Sequence, residues 1–363
     1  MKIIESILAK KNFDKEDLIR LFQANEYEQT LIFKKASEIK QQHVSNQVFI
    51  RGLIEISNVC QKDCFYCGIR KSNQKTKRYA LSEKEIKNLI QWAYQNNYRS
   101  LVIQSGELNN PAFTEKISRI LSFAKTIHNK TGITLSCGEQ KEKIYQKWMR
   151  AGAERYLLRI ETSNRELYNK IHPNDALHDF DQRLKALGTL KKTGYQTGTG
   201  IMIGLPFQTL ENLAEDLLFM QETDIDMCGM GPYIEHPATP LFRFNKFLPP
   251  LKKRAELTLL AIALLRIMMK NINIAATTAL NTIASPYLFK GIKAGANVIM
   301  PNLTPEKHQN DYLLYQNKNS INRRDRQLLH LSKELKAIDH EIAYKSLGTS
   351  MHFSQKNSIH VKV

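Results

Sequence analysis

Eight times between Val48 and Met300 the chain repeats one unit: a short apolar run, a polar or glycine-bearing turn, and an amphipathic helical stretch. The runs are 49–56, 100–104, 133–136, 155–160, 197–203, 226–230, 272–276 and 297–300. Strand-then-helix repetition implies parallel strands joined by right-handed crossovers. Eight units therefore predict an α/β fold, a complete (β/α)8 TIM-type barrel. The helices between the runs are well marked: Ser82 caps one, and 252–269 is a long stretch rich in Leu and Ala. A barrel of this kind uses about 250 residues, so a chain of 363 has segments to spare. Residues 1–46 read as an N-terminal helical segment with Asp14 capping an acidic first turn. The barrel is expected over 47–303. Residues 304–363, polar and basic, are expected to form a C-terminal extension that closes it.

In a parallel barrel the active site is built where the strands end. Directly after the first run comes Ser57-Asn-Val-Cys-Gln-Lys-Asp-Cys-Phe-Tyr-Cys-Gly-Ile-Arg70, with Cys60, Cys64 and Cys67 spaced by three and then two residues. A structural zinc site closes with four protein ligands, and no fourth Cys or His stands at finger spacing. Three soft thiolates on one short loop instead suit a 4Fe-4S cluster with one iron left open to a small molecule. The segment resembles the signature of the radical S-adenosylmethionine (radical SAM) enzymes, including the aromatic Tyr66 before the third cysteine. That resemblance implies S-adenosyl-L-methionine (SAM) on the open iron, cleaved reductively to a 5'-deoxyadenosyl radical. The cofactors perform this chemistry and the protein aims and shields it.

Composition narrows the setting. Five cysteines, an odd number, argue against a disulfide framework and for a reducing compartment. Cys137 and Cys228 sit in apolar contexts and read as small buried hydrophobes. No apolar run approaches the roughly 18 residues that span a bilayer, and the first residues carry too many charges for a signal peptide. A cytoplasmic protein without a membrane partner is expected. The net charge of +18 is spread over short basic runs such as Lys252-Lys253-Arg254, with no nucleic-acid-binding pattern. No nucleic-acid partner is expected. An anionic small molecule or an acidic protein would be attracted, less so in salt.

The other strand ends carry polar groups in turn: Gln104-Ser-Gly-Glu107, then Ser136 within Thr134-Leu-Ser-Cys-Gly-Glu139, then Arg159-Ile-Glu-Thr162. Repetition at successive strand ends points to a shared site. Arg159 and Glu161, two apart on a strand, are expected on one side, together meeting the carboxylate and ammonium of a methionine moiety. Arg183, early in the next helix, is a second candidate carboxylate partner. The glycines of Gly198-Thr-Gly-Ile-Met-Ile-Gly-Leu-Pro206 do not have the dinucleotide-binding spacing and are read as close approach of backbone to a bulky ligand. Met202 is a candidate to pack on an adenosyl group. Thr277 and Thr278 offer hydroxyls for a small anion, and Tyr312 and Tyr315 are candidates to close the cavity.

The ordered set Ser57-Asn-Val-Cys60, Ile103-Gln-Ser-Gly-Glu107, Arg155-Tyr-Leu-Leu-Arg-Ile-Glu-Thr162, Met202-Ile-Gly-Leu-Pro206, Gly231-Pro232, His236-Pro237, Ala276-Thr-Thr-Ala279 and Gly295-Ala-Asn-Val-Ile-Met-Pro-Asn302 is similar to that of the HydE-type maturases of [FeFe]-hydrogenase. This is a family in the biotin synthase-like group of radical SAM enzymes. The resemblance implies a role in assembling the hydrogenase's diiron subcluster from an organometallic precursor, with a reductant protein and other maturation proteins as partners. It implies Cys60, Cys64 and Cys67 as cluster ligands. It makes Tyr66, Gln104, Glu107, Ser136, Arg159, Glu161, Arg183, Met202 and Leu205 neighbours of SAM, and Thr134, Thr277, Thr278, Met300, Tyr312 and Tyr315 the lining of the substrate cavity. Two departures stand out. The stretch 317–331 has none of the extra cysteines some members use for a second cluster, so one cluster is expected, and Ile160 stands where many members have histidine. The alternatives are a related enzyme acting on an organic amino acid or thiol, similar to methylornithine synthase or biotin synthase, and a cluster-binding scaffold without catalysis.

Overall fold

A computed structural model describes residues 2–128, 131–315, 324–344 and 346–360. Of the cysteine-free stretch 317–331, residues 317–323 lie outside the described residues. Three helices open the chain, Lys2–Leu8, Lys15–Phe22 and Glu26–His43. The second and third begin in reciprocal capping boxes, Asp14 with Asp17 and Asn25 with Glu28, each satisfying backbone N–H groups that a helix start leaves unpaired. The expected cap at Ser82 is likewise a capping box with Glu85, and the long helix runs Leu251–Met268.

The eight apolar runs resolve into ten strands: β1 Gln47–Ile50, β2 Gly52–Ser57, β3 Ser100–Ser105, β4 Gly132–Ser136, β5 Arg155–Leu157, β6 Gln196–Thr199, β7 Met202–Ile203, β8 Met227–Pro232, β9 Asn273–Ala276 and β10 Val298–Ile299. β11, Glu341–Ile342, comes from the C-terminal segment. Every ladder is parallel, in the order β11-β1-β10-β9-β8-β6-β5-β4-β3-β2, with β7 beside β8. β2, β8 and β9 are buried at every residue, as the strands of a parallel sheet with helices outside and packed side chains inside must be. The ladder is thus an α/β sheet of partial TIM-barrel form with two named ends, β11 and β2. The chain passes from β1 to β2 through Arg51 alone, and Leu53 bridges Asn302 just beyond β10.

Two runs are shorter than their apolar pattern suggested. β5 stops at Leu157, because the Ile160 N–H is taken by the Thr199 hydroxyl at 3.1 Å rather than by a ladder carbonyl, and Glu161 then turns into the left-handed region at φ +68°. β6 and β7 are separated at Gly200, where a Cβ would lie 2.0 Å from the Gly229 carbonyl oxygen.

The ends where the strands begin are covered by the C-terminal segment. Arg155 Nη1 donates to Leu347 O at 3.0 Å, and Arg51 Nη2 and Asn273 Nδ2 donate to Gly348 O at 3.0 and 2.8 Å. Gln196 Oε1 accepts from Ser350 N–H at 2.7 Å. Ligands therefore have the opposite end, where the strands finish. Among the described residues no helix is long and apolar enough to cross a membrane.

Candidate functional site

The cysteine loop leaves β2 at Ser57 and is held by its own backbone. Arg78 donates to the carbonyls of Asn58 (2.7 Å), Ile69 (2.8 Å), Arg70 (2.6 Å), Lys71 (3.4 Å) and Asn73 (3.2 Å). The Asn58 amide adds bonds to Lys77 O and Asp311 O at 2.8 and 2.6 Å. One guanidinium thus satisfies carbonyls that no regular structure pairs. Gly106 lets the end of β3 slide beneath the loop: a Cβ there would lie 2.3 Å from Val59 O and 2.9 Å from Cys60 Cβ. That approach lets Glu107 N–H donate to Cys60 Sγ at 3.3 Å.

Cys60, Cys64 and Cys67 all line one cavity of about 300 Å³. Burial raises the pKa of each thiol, that of Cys64 to about 12, and neighbouring cysteines push Cys64 and Cys67 the same way. Buried thiols such as these become thiolates only with a cationic partner. Among the described residues no three His, Cys, Asp or Glu side chains are gathered to hold a metal ion. Sulfur-only donors facing a roomy cavity fit an iron-sulfur cluster, whose bulk separates its ligands.

Beside Cys60 lies a buried quartet of charges. Lys62 Nζ stands 3.4 Å from Glu107 and 3.1 Å from Glu139, and Arg183 Nε stands 2.7 Å from Glu139. Burial raises the Glu107 pKa, Glu139 adds to this, and Arg183 and Lys62 oppose it. Arg183, the second candidate carboxylate partner, is buried against the cavity. Tyr66 is fixed from behind: its hydroxyl lies 3.1 Å from His172 Nε2, and His172 Nδ1 lies 2.9 Å from Tyr168 O. Burial holds the His172 pKa well below the usual histidine value, so the ring is neutral, donating from Nδ1 to the carbonyl and accepting a hydrogen bond from the Tyr66 hydroxyl at Nε2.

Arg159 and Glu161 do meet, but each other. Arg159 Nε lies 2.9 and 3.0 Å from the two Glu161 oxygens, and Nη2 lies 2.8 Å from Oε2. The remaining Arg159 donors go to Gly229 O and Ile201 O, both at 2.8 Å. In this structure every Arg159 nitrogen is engaged, and the guanidinium holds the Glu161 carboxylate in place.

Of the sequence-selected residues, Tyr66, Gln104, Glu107, Ser136, Arg159, Glu161, Arg183, Met202, Thr277, Thr278, Met300, Tyr312 and Tyr315 line the same cavity as the cysteines. Gln104 Nε2 donates to Tyr312 Oη at 3.2 Å, and Thr278 Oγ1 lies 3.1 Å from Tyr315 Oη. The Thr277 hydroxyl is buried without a hydrogen-bond partner, a free polar group at the wall. Two residues are absent from the lining. Leu205 is buried under Tyr233 and Leu241, in a cluster on which Phe65, Tyr66 and Met202 pack. Thr134 accepts from Arg155 Nε at 2.9 Å deeper in the barrel. The close-approach glycines are also corrected: Gly198 and Gly200 give way to Met227 and Gly229, not to a ligand, whereas Gly229 and Gly231 of β8 face the cavity. Ile160 is fully buried in the main core. Cys137 and Cys228 are buried as expected.

Sequence reading missed Glu55 and Lys62, both lining the cavity. Glu55, 1% exposed, accepts from Asn302 Nδ2 at 3.1 Å. Its signal was a single acid in an otherwise apolar strand. Lys62 is a cation between two cysteines.

Residues 54–220 match the radical SAM superfamily model. Over 321 residues the chain is 42% identical to the [FeFe] hydrogenase maturase subunit HydE of Thermotoga maritima, covering 88% of each chain. Among solved structures it is similar to methylornithine synthase (TM-score 0.79, 21% identity, 98% of this chain and 99% of that one). It is also similar to the [FeFe]-hydrogenase maturase HydG (TM-score 0.78, 17% identity, 95% and 76%). At those identities the two structures speak for the fold alone.

Proposed function

The chain belongs to the HydE family of radical SAM enzymes, and from that premise we propose that it is the HydE-type maturase for the diiron subcluster of an [FeFe]-hydrogenase. It is an enzyme that uses a 4Fe-4S cluster and S-adenosyl-L-methionine, as its family does. The observation that carries the reading onto this molecule is the convergence of three thiols, the Lys62–Glu107–Glu139–Arg183 quartet and the Arg159-aimed Glu161 on one cavity. The 42% identity separates the maturase from methylornithine synthase, which shares the fold at half that identity.

In this reading Cys60, Cys64 and Cys67 hold the cluster, and the neighbourhood of Cys60 is kept near neutral by pairing two acids with two bases. When bound and reduced, the cluster and SAM supply a 5'-deoxyadenosyl radical. The protein's residues orient the ligand. Glu161 takes the ammonium, since its carboxylate is already directed, and Arg183 is the cation left for the carboxylate. Met202 and Tyr66 line the adenosyl side. Thr277, Thr278, Met300, Tyr312 and Tyr315 form the substrate wall.

Continuity through Arg51 and the Leu53–Asn302 bridge support closure as a complete (β/α)8 barrel over 47–303. Residues 1–46 are then an N-terminal helical segment and 304–363 an extension whose β11 pairs with β1. We place the protein in the cytoplasm, with a reductant protein and other maturation proteins as partners. The test is replacement of a known HydE in a reconstituted [FeFe]-hydrogenase maturation. Active hydrogenase supports the proposal; none, from a protein that cleaves SAM, moves the substrate to the organic class.

A further inference from the structure

We propose that the face over the Cys64–Cys67 loop is the docking surface for an acidic one-electron carrier protein. The proposal rests on the radical SAM reading, because reductive cleavage consumes one electron that this chain does not itself generate. One electron leaves the carrier and one enters the cysteine-held cluster, with no proton or bond exchanged at the interface.

The face has an aromatic centre. Phe65, between Cys64 and Cys67, is joined to its neighbours by backbone bonds from its N–H to Ile171 O (3.0 Å) and from Leu241 N–H to its own carbonyl (3.1 Å). Phe65, Tyr66 and Phe244 pack on one small apolar cluster separate from the main core. Phe244 meets Phe207 edge-on at 4.8 Å between ring centres. Phe207 is 49% exposed with φ +68°, and Phe247 is 84% exposed. An aromatic left this open is out of place on a free surface and suits the centre of a protein contact.

Its rim is basic. Residues 64–82 and 236–255 each contain five Lys or Arg and no Asp or Glu. Lys71, Lys75 and Lys77 are exposed on the strap that Arg78 holds rigid. Lys170 lies over the Phe207 ring at 5.7 Å and Arg243 over Phe244 at 4.6 Å, with Lys246 exposed beside them. Acids pair with part of this rim, Asp63 with Arg70 at 2.6 Å, whose guanidinium lies 5.8 Å over the Phe65 ring, and Glu166 with Lys170 at 2.5 Å. Outside these rim residues, Glu235 and Glu256 pair with Arg254 and Lys253. Such a rim repels a second copy of this chain and steers an acidic partner. The aromatic centre favours a protein over a nucleic acid, and the cysteine loop directly behind Phe65 favours one that delivers electrons.

The test uses the reconstituted holoenzyme and an acidic flavodoxin, its affinity read by calorimetry at low and high salt. Reversing Lys71, Lys75 and Lys77 to Glu together, and separately Phe247→Ser, is expected to weaken binding at least tenfold and flatten its salt dependence. Neither touches the cavity, so SAM cleavage driven by dithionite stays unchanged while flavodoxin-driven cleavage falls. Lys34, Lys290 and Lys293, exposed on the helices Glu26–His43 and Ser285–Lys293, reversed together serve as the control and should leave affinity near the unaltered value. Unchanged affinity in both test variants overturns the proposal. So does an equal loss in the control, or a face that binds an RNA oligonucleotide and not flavodoxin. Absence of dithionite-driven cleavage in the unaltered protein would instead defeat the radical SAM reading, with the binding measurement still deciding the docking site.

Discussion

Arg159 grips both carboxylate oxygens of Glu161, with Nε at 2.9 and 3.0 Å, and spends its remaining donors on the Gly229 and Ile201 carbonyls. A pair fixed this tightly does not move to meet a ligand; it presents one face of one carboxylate. The arrangement requires Glu161 at φ +68°, a conformation unfavourable for any residue with a Cβ.

Glu161 therefore separates affinity from stability. Glu161→Ala and Glu161→Gly should lose SAM affinity alike, by tenfold or more, because both remove the ammonium's partner. The glycine variant should be the more stable by about 1 kcal/mol, since it alone is relaxed at positive φ. Equilibrium dialysis of SAM and urea unfolding of the two variants check this.

Lys62, 3% exposed, sits between two acids. Lys62→Met leaves Glu107 buried beside Cys60 with less compensation, and should cost roughly 3 kcal/mol in urea unfolding of the cluster-free protein. Lys62→Met combined with Glu107→Gln should recover part of that loss, as coupled partners do.

How much of this was legible follows from what each residue's position depends on. The cysteine loop, the caps at Asp14 and Ser82, and the succession of strand ends depend on local spacing, so the sequence displays them. Arg159 and Glu161 were expected to alternate along a continuing strand; the Thr199 hydroxyl ends that strand instead, through a contact made 39 residues away. Lys62 finds Glu139 across 77 residues, which no local pattern encodes. Leu205 belongs to a recognisable motif, yet packing under Tyr233 turns it from the cavity.

Asp216 gives a pH signature. One of its oxygens accepts from Ser163 N–H at 2.5 Å, the other is buried without a partner, and burial raises its pKa to about 7. The folded state thus holds a proton that the unfolded chain releases near pH 4. Stability from this group is full below about pH 4, falls as pH rises toward the folded value, by at most about 1.4 kcal/mol per pH unit, and is level above it. Asp216→Asn should remove that slope between pH 4 and 7 in urea titrations, leaving the rest of the profile as it was.

Thr277 shows the opposite economy. Its hydroxyl is buried at the cavity wall with no partner, so Thr277→Val, equal in shape, should leave stability unchanged or raise it by about 1 kcal/mol. Product formation from the physiological substrate should fall while SAM cleavage persists. Thermal unfolding and single-turnover product analysis distinguish the two effects.

The most direct test of the central claim is anaerobic SAM cleavage by the reconstituted, reduced protein, with Cys64→Ala alongside. Stoichiometric or greater 5'-deoxyadenosine from the unaltered chain, and neither cluster absorbance nor product from the variant, is the predicted result. A fully reconstituted protein that makes no 5'-deoxyadenosine, or a Cys64→Ala variant that makes it undiminished, would contradict the account.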